Sequence, residues 1–403
     1  MTKIIGTPVT SSTFASRKST PMPQDLSKND RRRFEDKLSK IIRANETMLG
    51  YPLARDFDYS EILPLIAYGL NNIGDPKVES TSVINTREEE NEVVDFFADI
   101  FRAPANNYWG YVTNGGTEGN LYALYLAREL YPDAMVYFSE ATHYSVQKNL
   151  HLLKLDSITI RCQANDEIDY EDLEEVMSHH RHRPAIVFAN IGTTMTEAKD
   201  NVATIKNILK KLAIRQHYVH ADAALAGTYT ALAEPHHPFD FEDGADSISI
   251  SGHKFIGSPI PCGVVIVKKN YKERIGQLIP YIGTLDTTIT GSRNGHTPMF
   301  LWYAIKKWGK EGFLQRAEHG MELAKYTKRK LNLMGWKAWM NPNSLTVVID
   351  KPADELIAKW QIATQGGMAH IICMPGVTKV QIDLFLADML KFYGSRVAPI
   401  SVN

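Results

Sequence analysis

Lys254 stands in "SISISGHKFIGSPIPCG", after an alternating, strand-like run and inside a loop of small residues. A solvated lysine needs no such setting, whereas an amine that must bond to an aldehyde does. Asp222, in "YVHADAALAG", ends another strand-like run among Ala221, Ala223 and Ala224. A carboxylate in that apolar company costs free energy unless a cation or hydrogen-bond donors meet it. The small alanines, Ala224 among them, also make room for a flat ring. "TNGGTEGN" sets Gly115, Gly116 and Thr117 at a strand-to-helix turn, where backbone N–H groups can receive an anion. That turn has neither the G-x-G-x-x-G spacing of a dinucleotide site nor the lysine of a nucleotide P-loop. It suits a phosphate rather than a nucleotide. His143 in "SEATHYSVQKN" and Thr193 with Thr194 in "NIGTT" follow further strand-like runs, and Ser251 and His253 precede Lys254.

Taken singly, each feature has a structural reading: a tight turn, a helix-entry histidine, a glycine turn, a helix cap. As an ordered set they meet the needs of pyridoxal phosphate, which requires an amine for its aldehyde, an acid for its ring nitrogen, a cradle for its phosphate and a flat group on its ring. Lys254, Asp222, the 115–117 turn with Ser251 and His253, and His143 fill those needs in turn, with Thr193 at the mouth. A transaminase, a desulfurase or a β-eliminating lyase would use the same set. The residues alone therefore do not choose the reaction.

Seven strand-like runs must position these groups: "YWGYVT", "AMVYFS", "SITI", "AIVFAN", "HYVHAD", "DSISIS" and "GVVIV". Helical stretches lie between most of them, near 119–130, 144–153, 170–178 and 202–214. The alternation predicts an α/β fold, a mostly parallel sheet covered by helices on both faces. The last two runs have no helix between them, which predicts one antiparallel strand. Ligands of such sheets sit at the carboxyl ends of the strands, where the chemical residues cluster. Upstream, "NDRRRFEDKLSKIIRA" spaces Phe34, Leu38, Ile41 and Ile42 at helical intervals. "TREEENEVVDFFADIF" reads as a helix capped by Thr86, with acids in its first turn. Beyond Pro298 a long helix leads to a smaller α+β unit containing "SLTVVID", "DELIAKWQIA", "MAHIICMP" and "TKVQIDLFLADMLKFY". The expected organisation is a flexible arm (1–28), an N-terminal helical segment at a dimer interface (29–85), a large cofactor-binding domain (86–297) and a small C-terminal domain (298–403).

The bulk composition excludes several classes. The 403 residues are 44% hydrophobic and 23% charged with net charge −1, so no nucleic-acid or membrane-surface partner is expected. Cys162, Cys262 and Cys373 are too scattered for a disulfide framework or a zinc motif, which fits a reducing, cytoplasmic setting. No apolar run approaches the roughly 20 residues that span a bilayer. Residues 1–27 are rich in Ser, Thr and Pro and carry no acid before Asp25. They read as an arm around a partner subunit, with a transit peptide as the alternative. The histidines of "SHHRHRP" and "EPHHP" lack acid or cysteine partners in sequence, so no metal is expected.

The stretches "TNGGTEGN", "THYSVQKN", "HADAALAG", "SGHKFIGSPIPCG" and "TGSRNGHTP" resemble the pyridoxal-phosphate-dependent group II amino-acid decarboxylases of fold type I, in particular the bacterial histidine and plant serine enzymes. The resemblance runs from about Gly50 to the C-terminus. It implies that Lys254 holds the cofactor covalently, His143 stacks on its ring and Asp222 keeps its ring nitrogen protonated. It also implies a homodimer with active sites at the subunit interface. The loop "IPYIGTLDTTITGSRNG" resembles an interface loop of the family and offers Tyr281 as the group that protonates the reaction centre. Arg293 in the same loop then reads as an interface or phosphate-side residue rather than a substrate clamp. Within the family, "GDP" and "ES" in the 71–90 segment follow the serine enzymes, and "DTTITGSRNGHTP" the histidine enzymes. L-histidine is the first substrate expected, L-serine or another small polar amino acid the second. A non-catalytic pyridoxal-phosphate-binding protein is the rival from another class.

Overall fold

The computed structural model describes residues 25–79, 82–273, 275, 277–279 and 284–394. They fall into two compact units that divide between Glu46 and Thr47. In the first, α1 (Lys28–Glu46) buries none of its residues, and Phe34, Leu38, Ile41 and Ile42 are all exposed.

The second unit opens with a 3₁₀ helix, Ser60–Ala67, and α2 (Arg87–Ile100). Strands and helices then alternate: β1 (Tyr108–Thr113), α3 (Gly116–Leu130), β2 (Met135–Ser139), α4 (Ser145–Leu153), β3 (Asp156–Ile160), α5 (Tyr170–His179), β4 (Ala185–Asn190), α6 (Val202–Lys211) and β5 (His217–Asp222). After the short α7 (Gly227–Thr230) come β6 (Ser247–Ser251) and β7 (Gly263–Lys268), then α8 (Lys269–Lys272) and a hairpin, β8 (Gln277–Ile279) with β9 (Thr284–Asp286). The long α9 (His296–Leu333) breaks at Gly309, where φ is +58°, a conformation that glycine adopts without a Cβ penalty. It leads to β10 (Ala338–Trp339), β11 (Thr346–Asp350), α10 (Asp354–Trp360), β12 (Ala363–Gln365), β13 (Met368–Ile372) and α11 (Lys379–Tyr393).

The first seven strands form one sheet in the order β1-β7-β6-β5-β4-β2-β3. Only β7 runs antiparallel to its neighbours, as the missing helix before it predicts. The carboxyl ends of the other six therefore share one edge. β2 and β4 are buried along their whole length, as a sheet covered on both faces requires. At the edge, β3 turns Asp156, Ser157 and Thr159 outward, which discourages further pairing. The smaller antiparallel sheet, β10-β11-β13-β12, carries α10 and α11, with Thr378 and Gln381 closing a capping box on the latter. This is the fold type I arrangement, a mostly parallel seven-stranded sheet with a smaller α+β C-terminal part.

Three sequence expectations change here. "REEE" is more than an acidic first turn: Glu90 is fully buried and accepts from Asn72 Nδ2 and the Val112 N–H, both at 2.8 Å, and from Arg293. Arg293 is consequently an interior residue of this chain, paired with Glu90 and Gly74 O beneath the Tyr111 ring, and not an exposed interface or phosphate-side group. Buried charges persist only when paired in this way. Thr86 does stand at the start of α2, but its hydroxyl donates to Gly295 O at 2.6 Å instead of capping the helix.

Glu197 ties the two sheets together. Its buried carboxylate accepts from the Leu345 N–H, from Thr346 Oγ1 at 2.7 Å and from the Tyr229 hydroxyl, with Lys199 Nζ 3.8 Å away. Glu197→Ala strands the Lys199 charge and an amide donor, so it should destabilise the protein by about 3 kcal/mol or more. The expected observation is a lower urea midpoint. A midpoint matching the parent's would show that the link is dispensable.

Candidate active site

Five strand ends deliver the site. The turn after β1 carries Gly115, Gly116 and Thr117, the loop after β2 His143, the loop after β4 Thr193, the end of β5 Asp222 and Ala224, and the end of β6 Ser251, His253 and Lys254. All ten line one cavity of about 680 Å³, within the size range of small-ligand sites. The structure thus brings together every site residue read from sequence except Tyr281, which lies outside the described residues.

Lys254 occupies a tight turn, Gly252–Ile256, that reverses the chain between β6 and β7. Gly252 permits it: a Cβ there would meet Leu301 Cδ2 at 2.6 Å and Cys262 Sγ at 2.7 Å. The Ala54 N–H donates to Lys254 O at 3.1 Å and pins the turn from outside. Burial lowers the pKa of the Lys254 ammonium, and the Asp222 carboxylate opposes that shift. The amine is accordingly closer to its nucleophilic free-base form than a surface lysine.

Asp222 is buried, and both of its oxygens are engaged. Oδ1 accepts from the Ala224 N–H at 3.1 Å and Oδ2 from Asn120 Nδ2 at 2.8 Å. His143 Nδ1 accepts from the Ser145 N–H at 3.3 Å and lies 2.7 Å from Ser145 Oγ. These contacts fix the ring at the entrance of α4 and leave the proton on Nε2. Burial lowers the His143 pKa; Asp222 acts against that and Lys254 and Lys148 with it. His253 Nδ1 sits between the carbonyl and the amide of Cys262, at 2.9 and 3.2 Å, and its pKa is also lowered, chiefly by burial. Both rings are therefore held neutral at neutral pH.

The start of α3 has the geometry of an anion-binding turn. Gly115, with φ +146°, immediately precedes α3, and a Cβ on Gly116 would lie 2.9 Å from Ser251 Oγ and 3.1 Å from Ala224 Cβ. Free N–H groups of the first helical turn, with the dipole of a fifteen-residue helix behind them, face the cavity there. Thr193 is placed differently from its neighbours: its hydroxyl lies 2.9 Å from Thr196 Oγ1 and accepts from the Ala198 N–H at 2.9 Å, closing its own loop.

The donor set fits pyridoxal phosphate. An amine with lowered pKa, a carboxylate presenting open lone pairs and a glycine cradle that a Cβ would fill all open into one space large enough for it.

Asn120, His220 and Ser249 escaped the sequence reading, although Asn120 donates to Asp222 and the other two bond Asn120. The signal was present in the serines at alternate positions of "SISIS", which place Ser247, Ser249 and Ser251 on one face of β6. The histidine of "EPHHP" shows the opposite case. His236 does have acidic neighbours, Asp240 and Asp243, but the Arg102 guanidinium lies among them, 2.6 to 2.8 Å from each. The arginine takes the cation's place in that group.

Comparison with known proteins bears on the whole chain. The pyridoxal-dependent decarboxylase conserved domain matches residues 70–336. The histidine decarboxylase of Mesorhizobium japonicum is 50% identical over 90% of this chain and 98% of its own length. That of Morganella morganii is 41% identical over 93% of this chain and 100% of its own length. Among solved structures, the L-methionine decarboxylase of Streptomyces sp. 590 superposes with a TM-score of 0.84 at 25% identity, covering 92% of this chain and 97% of that one.

Proposed function

This chain belongs to the pyridoxal-dependent decarboxylases, and on that premise we propose that it converts L-histidine to histamine and CO2. The near full-length likeness to two histidine decarboxylases carries the choice of substrate.

When bound, pyridoxal phosphate supplies an electron sink for the pair left on Cα as the carboxylate departs as CO2. The chain's own groups do the rest. Lys254 would supply the amine that holds the cofactor aldehyde, and as a free amine it would move a proton. Asp222 holds a proton at the ring nitrogen through a charge-assisted hydrogen bond. His143, as a neutral imidazole, would cover one face of the ring. The N–H groups of residues 115–117, with Ser251 and His253, hold the phosphate. Proton return to Cα replaces the lost carboxylate, and Tyr281 is the sequence-based candidate for that step. A site that must expel a neutral product gains nothing from clamping the substrate carboxylate, and Arg293, the arginine nearest that role in sequence, is engaged with Glu90.

The proposed assembly is a cytoplasmic homodimer in which the 29–85 segment contacts the partner; most of the 1–28 arm lies outside the described residues. The exposed apolar stripe of α1 favours this arrangement. No described helix is long and apolar enough to cross a membrane.

Substrate choice is tested by amine release from a panel of amino acids. Histidine should exceed serine by about a hundredfold or more in kcat/KM, because serine lacks the imidazole that a histidine-selective site must engage. Equal or faster turnover of serine would reverse the assignment. The cradle gives a second check. Gly116→Ala sets a methyl against Ser251 Oγ and Ala224 Cβ at the turn proposed to hold the phosphate, so cofactor affinity should fall about tenfold or more. Absorbance titration of the apoprotein would measure this, and unchanged affinity would move the phosphate elsewhere.

A further inference from the structure

Asp222 is the end of a buried hydrogen-bond chain whose direction can be deduced. The first link is Asn120 Nδ2 to Asp222 Oδ2 at 2.8 Å. A carboxylate only accepts, so the amide group facing it is the NH2 and Asn120 Oδ1 points away. Oδ1 then accepts from both of its other neighbours, Ser249 Oγ and His220 Nε2, the latter at 2.9 Å. The 2.9 Å contact to that oxygen places the His220 proton on Nε2, with Nδ1 2.7 Å from Ser247 Oγ and the Ser247 carbonyl also near the ring. His220 is fully buried, and desolvation pushes its pKa down to about 3, so it stays neutral and has a single N–H to give. Every donor therefore points toward Asp222.

The fold prepares this arrangement. β5 and β6 pair in parallel with His220 opposite Ser247 and Asp222 opposite Ser249, so the four polar side chains stand on one face. α3 packs on that face at Gly119, where a Cβ would come 2.8 Å from Ser249 Cβ. The next residue, Asn120, is thereby brought among them. Asn120, His220, Ser247 and Ser249 are all buried, where a reversed link would leave two donors or two acceptors face to face.

We propose that Asn120 is the positioning residue of Asp222, and that the one-way chain Ser247–His220–Asn120 fixes the carboxylate so that its remaining lone pairs meet the cofactor ring nitrogen. The proposal rests on the reading that pyridoxal phosphate binds here, but its test does not depend on turnover alone.

With [15N]histidine incorporated and His220→Gln used for assignment, the apoprotein should show His220 as the neutral Nε2–H tautomer. An Nδ1–H tautomer would reverse the chain and overturn the proposal. Asn120→Asp, nearly isosteric, sets a second carboxyl against Asp222, and two such groups share a proton. In that variant, the 15N shift of the labelled cofactor ring nitrogen should move to its deprotonated value. kcat should fall about tenfold or more while KM changes less than about threefold. A variant that keeps the parent's ring-nitrogen shift and kcat would refute the positioning role. Should the parent release no CO2 from any amino acid, the functional reading fails, and the tautomer and the ring-nitrogen shift still decide this proposal.

Discussion

Lys254→Ala is expected to reduce histamine formation roughly ten-thousandfold or more and to abolish the cofactor adduct that borohydride fixes to the parent protein. The size of the effect follows from the geometry. The Lys254 amine is held in the cavity by a turn that only the packing of Gly252 against Leu301 and Cys262 allows, and its pKa is lowered by burial. No hydroxyl or imidazole in the cavity can form the same bond to an aldehyde. Lys148, the other lysine lining the cavity, stands on α4 with its ammonium 4.7 Å from the Tyr144 ring centroid. If the alanine variant kept a borohydride-fixed adduct, peptide mapping to Lys148 would identify the wrong anchor and refute the assignment of Lys254.

Asp222→Ala carries the second largest expected loss, roughly a thousandfold in kcat, because the ring nitrogen loses the partner that holds its proton. Removing the carboxylate also leaves Asn120 Nδ2 and the Ala224 N–H without an acceptor. Each such orphan costs about 1–3 kcal/mol, so the alanine variant should also melt at lower temperature. Asp222→Asn separates the two effects. It retains shape and one acceptor, so its stability should recover most of the way while its kcat stays low. A carboxamide variant within tenfold of the parent would show that the charge on Asp222 is not what the reaction needs.

The residues that face the cavity were legible because each follows a strand, and the parallel sheet collects strand ends at one edge. Lys254, Asp222, His143 and the 115–117 glycine turn could be placed together from the order of strands alone. What surrounds them was not legible, because it depends on register and on which helix crosses which strand. Asn120 is four residues past the second glycine of its turn and reads as an ordinary helix residue until α3 is laid on β6 at Gly119. His220 looks like a core histidine until its pairing with Ser247 is known. Glu90 and Arg293 mislead for a related reason. Each belongs to a local pattern, a helix first turn and a polar loop, while their shared buried pair joins positions 203 residues apart. Local pattern cannot report a contact at that separation. Arg102, by the same reasoning, is invisible in "EPHHP" although it lies against His236.

The most direct test of the account is a stoichiometry. Purified protein loaded with pyridoxal phosphate would be incubated with L-histidine labelled at the carboxyl carbon, and labelled CO2 and histamine would be counted together. The account predicts equal amounts of both, dependent on added cofactor and absent in the Lys254→Ala variant. Release of neither product by cofactor-loaded protein, or conversion of histidine with the label retained in the organic product, would contradict it.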